Sequence, residues 1–352
     1  MKKYINIEQY SLTDTYKISR ILKGGWQLST NHSGNVSAVQ AIEDMFAFVD
    51  AGITTFDFGD IYTGVEELIG RFRSRYKTKF NTYPNLQLHT KFVPDMSTLS
   101  TINKKYVEFI VDRSLSRLGV DQINLVQFHW WNYDIPRYVE TMSYLADQQK
   151  KGKIQHLGVT NFDVKRLREL VDSGITLLTN QVQYSILDHR PENGMSKFCQ
   201  ENNICLLCYG TVAGGLLSEK YLGINKPIYP YENRSLTKYM LMVDEIGGWE
   251  RFQKILIELS ILGRKYDVSI TTIATKYILQ KNTVAGIIVG ARNTDHLLEL
   301  ENTFTFELSM DDMKHLSGLT KDIPELSGDI YNLERIKNGK HAGIMKYELN
   351  QK

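Results

Sequence analysis

Short apolar runs alternate with amphipathic stretches along most of this chain. Near-continuous apolar runs, typical of strands buried on both faces, occupy residues 18–22, 53–58, 86–92, 123–128, 154–159, 177–182, 204–209 and 284–289. Between and after them, helical patterns occupy residues 36–51, 66–76, 103–118, 136–151, 163–171, 192–201, 250–266, 271–279 and 295–301. Glycines suited to a helix C-terminus follow several of these patterns, at Gly52, Gly119 and Gly152.

This alternation predicts parallel βαβ units that close into a (β/α)8 barrel. A doubly wound open sheet is the alternative, but no G-x-G-x-x-G follows the first strand. We predict a single domain over residues 1–352, with a barrel core at about 18–320. The segment 210–248 has little periodicity and suggests a lid over a site, or else a plain surface insertion. An extension at about 328–352 is expected to pack across one end of the barrel.

Composition narrows the class of protein without naming an activity. The 352 residues are 42% hydrophobic and 23% charged, which is ordinary for a globular chain. The net charge of +2 argues against nucleic acid as a partner. No apolar run reaches the ~20 residues of a membrane span, and no secretory signal is visible at the start. We therefore expect a cytoplasmic protein that does not enter a membrane.

The three cysteines, Cys199, Cys205 and Cys208, agree with a reducing compartment. The Cys205-x-x-Cys208 spacing could indicate a redox or zinc pair. It lies in an apolar run, however, and side chains three apart on a strand point to opposite faces. We therefore expect both cysteines to be structural.

Four polar residues follow or end successive predicted strands. Asp57 and Tyr62 come at and after the second run, Lys91 ends the third, and His129 follows the fourth. Functional side chains of a (β/α)8 barrel gather at the C-terminal ends of its strands. We therefore expect these four residues to converge on one mouth.

Together these residue types suit proton delivery to a carbonyl oxygen. A tyrosine hydroxyl is a poor acid near neutrality, and a neighbouring ammonium such as that of Lys91 lowers its pKa. A buried lysine needs a counter-ion, which Asp57 can supply. His129 can hydrogen-bond the substrate oxygen. Such a set protonates oxygen while hydride arrives at carbon.

The stretch Thr55-Phe56-Asp57-Phe58-Gly59-Asp60-Ile61-Tyr62, with Lys91 and His129 beyond it, resembles the aldo-keto reductase family and its Asp/Tyr/Lys/His tetrad. The resemblance extends from about residue 22 to 319. It implies the same (β/α)8 barrel and an NADP-dependent carbonyl reductase or alcohol dehydrogenase. Tyr62 would then be the general acid of reduction and the base of oxidation.

The resemblance also implies a cofactor site. The stretch Gly158-Val159-Thr160-Asn161-Phe162 is similar to the family's Gly-Val-Ser-Asn-Phe, with Thr160 keeping the hydroxyl. Gln181 would contact the nicotinamide carboxamide, Tyr209 would stack on the ring, and the following loop would run along the pyrophosphate, where its glycines would let the backbone approach the phosphates. Asn161 could alternatively serve only as a helix cap. The full implied set is Gly25, Trp26, Asp57, Thr160, Asn161, Gln181, Tyr209, Gly210, Thr211, Ala213, Gly214, Leu216, Gly290, Arg292, His296 and Glu299.

The loop after the last strand would grip an adenosine 2′-phosphate. Arg292 and His296 are the basic residues there, at a helix start that favours an anion. Glu299 matches the acidic residue that contacts adenine. Leu300 stands where the family usually has Asn, and His296 where many members have Arg. NADP is favoured over NAD, and no metal is expected.

Aromatic residues at the same mouth suggest a substrate pocket for a flat carbonyl or alcohol compound. The predicted pocket is Trp26, Tyr62, His129, Trp130 and Trp131. The tryptophans could instead pack the barrel rim. Two other functions stay open: a redox-sensing regulatory subunit with slow turnover, and a metal hydrolase built on Asp57 and His129. The sequence specifies neither the substrate, nor the reaction direction, nor the oligomeric state.

Overall fold

The fold is an eight-stranded parallel barrel preceded by a hairpin. The structure is a computed structural model that describes residues 7–30, 37–290, 293–321, 323 and 326–350. Its strands are β1 (Gln9–Ser11), β2 (Lys17–Ser19), β3 (Ile21–Gly24), β4 (Thr55–Asp57), β5 (Gln87–Phe92), β6 (Ile123–Phe128), β7 (Ile154–Thr160), β8 (Thr179–Gln183), β9 (Cys205–Tyr209) and β10 (Val284–Val289). The barrel closes in the order β10-β3-β4-β5-β6-β7-β8-β9. The predicted (β/α)8 fold is confirmed.

Helices connect the barrel strands and surround them. They are α1 (Ala38–Asp50), α2 (Val65–Phe80), α3 (Lys104–Leu118), α4 (Tyr138–Lys150), α5 (Val164–Asp172), α6 (Met195–Glu201), α7 (Arg234–Glu245), α8 (Trp249–Tyr266), α9 (Ile270–Leu279), α10 (Leu297–Asn302), α11 (Met310–Gly318) and α12 (Asn332–Arg335). Asparagine, serine and aspartate side chains cap several starts, as Asn103 does for α3 and Asp163 for α5. Within the described residues, none of these helices is long and apolar enough to cross a membrane.

The first predicted strand is divided in the structure. Residues 18–22 were expected to form one strand, but the chain breaks between β2 and β3 at Arg20. The Arg20 carbonyl accepts from the Ile287 amide at 2.8 Å, which joins β10. The hairpin β1–β2 then places Tyr16 and Ile18 in a small cluster with Leu22, Leu125, Leu207 and Ala285. This cluster fills the N-terminal end of the barrel.

The segment 210–248 contains a helix that was not predicted. Helix α7 begins after Asn233, whose side chain accepts from the Leu236 amide at 3.0 Å. Its buried residues are Leu236, Tyr239, Met240, Met242 and Val243. Leu236, Tyr239, Met240 and Val243 have the i, i+3, i+4, i+7 spacing of an amphipathic helix, a signal that the sequence prediction overlooked. The prediction of little periodicity was therefore wrong for residues 234–245.

The two cysteines of the C-x-x-C pair point to opposite sides of β9, as expected. Cys208 lies in the main core between barrel and helices, whereas Cys205 packs against the small cluster inside the barrel. Both are free thiols, and burial raises the pKa of each. Among the described residues, no group of three or more His, Cys, Asp or Glu side chains is placed to hold a metal ion.

Close packing of α2 on α3 depends on Gly70. A Cβ added there would lie 2.2 Å from the Arg117 carbonyl oxygen. We expect Gly70→Ala to lower the free energy of unfolding by about 1–3 kcal/mol, because overpacking outweighs the gain in helix propensity. Urea unfolding measures the change. Gly318→Ala is the matched control, because no atom lies within 4 Å of its added Cβ; an equal loss in both variants would contradict the packing argument.

Candidate active site

A buried ion pair lies inside the barrel at the C-terminal ends of β4 and β5. Lys91 Nζ donates to Asp57 Oδ1 at 2.5 Å and to the Phe58 carbonyl at 2.8 Å. Both side chains face inward because Phe56 and Phe92, next to them in sequence, face the helices. Burial alone would lower the pKa of Lys91, but Asp57 and Tyr62 raise it, so the ammonium stays charged.

Two glutamines complete the surroundings of Asp57. Gln127 and Gln181 each donate to Asp57 Oδ2 at 2.7 Å, and Gln181 also donates to Gln127 Oε1 at 2.8 Å. Sequence reasoning missed Gln127, although a polar side chain inside the apolar run of β6 was the available signal. Gln181 therefore uses its amide nitrogen on the Asp57 carboxylate. These bonds fix the orientation of Asp57 and hence of Lys91.

Tyr62 lies over the ion pair, as expected. Its backbone turns back on Gly59, whose carbonyl accepts from the Tyr62 amide at 2.9 Å. Lys91 Nζ is 5.3 Å from the centre of the Tyr62 ring. Burial raises the pKa of Tyr62 above 10, and the charge and hydrogen bond of Lys91 oppose that rise. The predicted lowering by lysine is therefore present, but burial outweighs it.

His129 follows β6 at the same end of the barrel, near enough for the charge of Lys91 to act on it. Burial, assisted by the charge of Arg335, lowers the pKa of His129 to about 3, so the ring is neutral. Its Nδ1 lies 3.1 Å from the Thr160 carbonyl oxygen, which can only accept, so Nδ1 carries the proton. The buried Nε2 has no partner. A neutral His129 therefore presents a lone pair, suited to accepting from a hydroxyl.

The predicted nicotinamide residues lie together at the ends of β7 and β9. The Tyr209 hydroxyl donates to Asn161 Oδ1 at 2.8 Å, and the Thr160 hydroxyl donates to the Gln181 carbonyl at 3.2 Å. Asn161 has a φ of 61°, a left-handed conformation that asparagine tolerates. The helix cap of α5 is Asp163 rather than Asn161, which leaves Asn161 outside that structural role.

The loop after β9 is shaped by Tyr239 of α7. A Cβ on Gly210 would lie 2.3 Å from the Tyr239 hydroxyl, and one on Gly214 would lie 2.8 Å from its ring. These two glycines are therefore needed for packing, a reason that the sequence did not reveal. Gly215, by contrast, has a φ of 96° and no atom within 4 Å of an added Cβ. The side chains of the other predicted loop residues are buried: Thr211, Ala213 and Leu216.

The predicted 2′-phosphate site is described only in part. Arg292 lies outside the described residues. His296 is 73% exposed, and its Nδ1 is 3.2 Å from Glu299 Oε2. Glu299 also accepts from the Ser269 hydroxyl. Gly290, the residue after β10, lies against the side chain of Gln27.

The tryptophans of the predicted pocket separate into two groups. Trp26 lies 5.0 Å from Tyr62, and Trp131 meets His129 edge to face at 4.3 Å, measured between ring centres. Trp130 is fully buried, and its indole N–H donates to the Asn132 and Ile135 carbonyls. Trp130 is thus a core residue, and the other two tryptophans are those that contact Tyr62 and His129.

The C-terminal segment, residues 326–350, crosses the mouth and adds residues that sequence reasoning missed. The Tyr331 ring lies 5.6 Å from His129, and the Tyr347 ring lies 5.1 Å from Trp131. Near its end, Asn350 donates to Asp60 at 3.1 Å, in the loop that carries Tyr62. An extension across one end of the barrel was expected from the sequence, but its weak periodicity did not indicate which of its side chains would reach the mouth.

Comparison with known proteins agrees with this geometry. The chain matches the Aldo/keto reductase family over residues 20–321. It is 26% identical to the aldo-keto reductase YhdN of Bacillus subtilis, over 90% of this chain and 94% of that one. A putative aryl-alcohol dehydrogenase of Schizosaccharomyces pombe is 27% identical, over 81% and 93% of the two chains. An NADH-specific methylglyoxal reductase of Escherichia coli is 27% identical, over 70% of each.

Solved structures give the same result. The thermostable aldo-keto reductase Tm1743, solved with the inhibitor epalrestat, superimposes with a TM-score of 0.68 at 26% identity, over 89% of this chain and 98% of that one. The chain therefore belongs to the aldo/keto reductase family, a family of oxidoreductases that use nicotinamide cofactors.

Proposed function

We propose that this protein reduces an aldehyde or ketone to an alcohol, or catalyses the reverse reaction, with NADP(H) and with Tyr62 as the general acid or base. The observation that carries the proposal is the convergence of four groups at one mouth. Tyr62 lies over the buried Lys91–Asp57 pair, and the free Nε2 of His129 faces no protein partner. None of these positions requires a metal.

The same four residues can move the proton in either direction of the reaction. In reduction the Tyr62 hydroxyl gives its proton to the carbonyl oxygen, and the Lys91 charge stabilises the tyrosinate that remains. Asp57 keeps that ammonium in place. The hydroxyl so formed can donate to His129 Nε2, which holds the oxygen in position. In oxidation the tyrosinate takes the alcohol proton.

The cofactor site is supported by the chemistry of the residues around it. When bound, a nicotinamide cofactor supplies or accepts the hydride at the substrate carbon. Asn161 and Thr160 offer an amide and a hydroxyl for the carboxamide, and the Tyr209 ring offers a stacking surface. The backbone at Gly215 is open to a close approach by a phosphate. Gln181 already donates to Asp57, so its contact with the cofactor would use the amide oxygen.

The choice of NADP over NAD rests on Arg292 and His296, which would pair with a 2′-phosphate. His296 would have to contact that phosphate while its Nδ1 lies 3.2 Å from Glu299, its present neighbour. The NADH-specific relative makes this the part of the proposal that most needs a measurement.

The test is the oxidation of NADPH and of NADH in the presence of a panel of aromatic and aliphatic aldehydes and ketones. We expect multiple turnovers and a higher kcat/KM with NADPH. A single turnover, or none, would support a redox-sensing role instead. Equal or better use of NADH would overturn the cofactor assignment and leave the reaction intact.

A further inference from the structure

Arg335 is a cation at the candidate mouth with no acidic partner among the residues that the structure describes. It ends α12 in the C-terminal segment. Its guanidinium carbon lies 4.2 Å from the centre of the Tyr133 ring and 4.9 Å from that of Tyr331. One nitrogen, Nη2, donates to the Asn161 carbonyl at 2.9 Å, the Trp130 carbonyl at 3.1 Å and the Tyr133 hydroxyl at 3.0 Å. All of these acceptors are neutral.

The remaining nitrogens of Arg335 lack acceptors among the residues that the structure describes. Nε and Nη1 are shielded from solvent and have no hydrogen-bond partner there. Asp329 is near enough for the charge of Arg335 to act on its pKa, but its carboxylate accepts from the Val164 and Ile330 amides. A buried N–H without an acceptor costs free energy, and more so when it belongs to an ion, so the guanidinium would gain from an anion beside Nε or Nη1.

Arg166 provides a comparison, because it packs on the same tyrosine ring as Arg335 but has an acidic partner. It stacks on the Tyr133 ring as well, with its guanidinium carbon 4.6 Å from the ring centre. Asp163, however, lies 3.3 Å from its Nη1. Two arginines thus share one tyrosine, and only Arg166 has a described carboxylate beside it.

The position of Arg335 connects it to the reacting groups. It binds the carbonyls of Trp130 and Asn161, the residues that directly follow His129 and Thr160 in sequence. Its charge contributes to lowering the pKa of His129. The Tyr331 ring lies 5.6 Å from His129, so a single aromatic ring separates the guanidinium from the candidate site.

The acids near this mouth are already engaged. Asp57 is paired with Lys91, and Glu334 is paired with Arg190. A second cation, Lys238, lies with its Nζ 4.9 Å from the centre of the Tyr209 ring, and its Nζ is 3.6 Å from Glu334 Oε1. Lys238 is therefore neutralised by Glu334, whereas Arg335 forms no ion pair with a residue that the structure describes, so an anionic ligand would find its partner at Arg335.

We propose that Arg335 binds an anionic group on the substrate, so that the preferred substrate is an aldehyde, ketone or alcohol that also carries a carboxylate. This inference rests on the proposed function, because it places the anion on the compound that Tyr62 protonates. A carboxylate oxygen would give Nε or Nη1 a charge-assisted hydrogen bond, which is strong where water is excluded. The rings of Tyr133 and Tyr331 cover the guanidinium, so the binding of a carboxylate at Nε or Nη1 requires one of these rings to move.

The kinetic test compares 4-carboxybenzaldehyde with 4-formylbenzamide, which is similar in size and electronic character but neutral. For the unmodified protein we expect kcat/KM to be about tenfold or more higher for the carboxylate. Arg335→Gln should bring the ratio close to one, and Arg335→Lys should keep part of it. Arg166→Gln, the matched control, should leave the ratio unchanged. No preference in the unmodified protein, or an equal loss of preference in the Arg166 variant, overturns the inference.

A binding measurement separates this inference from the proposed reaction. The thermal unfolding midpoint is measured with benzoate and with benzamide, neither of which can be reduced by the expected chemistry. We expect benzoate to stabilise the unmodified protein more than benzamide, and Arg335→Gln to remove the difference. If neither aldehyde is turned over but benzoate binding depends on Arg335, the proposed function fails and the anion site stands. If benzoate acts equally on both proteins, the anion site fails whatever the turnover.

Discussion

Replacing Tyr62 with phenylalanine should lower kcat for carbonyl reduction by about 10²–10⁴-fold, the range expected for loss of a general acid. The ring contact with Trp26 and the position over Lys91 do not require the hydroxyl. The binding of NADPH should therefore stay close to that of the unmodified protein. Steady-state reduction of an active aldehyde measures the first quantity, and NADPH titration measures the second.

The control for this variant is Tyr76→Phe. Tyr76 is on α2 and stacks on Phe46 at 5.6 Å, away from the mouth. The variant Tyr76→Phe should retain full turnover, because the hydroxyl that it loses lies away from the candidate site. Normal turnover by Tyr62→Phe would show that another group delivers the proton, and the mechanism would have to be abandoned.

Replacing Arg190 with methionine should lower the free energy of unfolding by about 3–5 kcal/mol, the cost of leaving buried charges without their partner. Arg190 donates to Asp188 at 2.6 and 2.8 Å and to Glu334 at 3.3 Å. The three side chains are at most 1% exposed. The arginine thus joins the loop after β8 to the C-terminal segment. Urea unfolding at neutral pH measures the loss.

The comparison variant is Lys197→Met, which breaks an ion pair whose two side chains are 81% and 57% exposed. Solvent screens such a pair, so its removal should change stability little. A similar small effect for Arg190→Met would mean that the buried cluster is not formed in solution.

The pH dependence of the Arg190 variant has a defined sign. Burial alone would raise the pKa of Glu334, but Arg190 and Lys238 bring it down to about 2. The unmodified protein therefore gains stability from this group at neutral pH and loses it as the pH falls from about 4.5 toward 2. Without Arg190, burial dominates and the pKa of Glu334 rises, so acid relieves the penalty. The difference in stability between the two proteins should therefore narrow from pH 7 to pH 5, and a difference that widens over this range would contradict the argument.

Most of the barrel could be predicted because its strands lie buried between two layers of side chains. Such strands appear as apolar runs, and seven of the eight predicted runs each overlap one strand, whereas the run at 18–22 overlaps β2 of the hairpin and β3 of the barrel. The run at 18–22 was wrong as a single strand because its polar residues, Ser19 and Arg20, mark the boundary between β2 and β3. Helix α7 was missed although Leu236, Tyr239, Met240 and Val243 have helical spacing, because the prolines and weak pattern earlier in the segment were extended over all of it.

The four residues of the tetrad could be placed because each follows from local position. Asp57, Lys91 and His129 come at strand ends, and parallel strands bring those ends to one rim. Their pKa values could not be foreseen, since these depend on burial and on neighbours distant in sequence. The rise in the pKa of Tyr62 and the large fall in the pKa of His129 both depend on burial and on such neighbours.

By itself, the sequence determined the barrel, the strand ends that carry the tetrad, and the opposite-facing cysteines, because strand periodicity and parallel topology are local rules. Only the tertiary structure decided that Trp130 belongs to the core, that Gln127 holds Asp57, and that the C-terminal segment brings Tyr331 and Arg335 to the mouth. These outcomes rest on contacts between residues far apart in the chain. Arg335 lies 174 positions from the carbonyl of Asn161 that it binds, a separation across which no sequence pattern carries information.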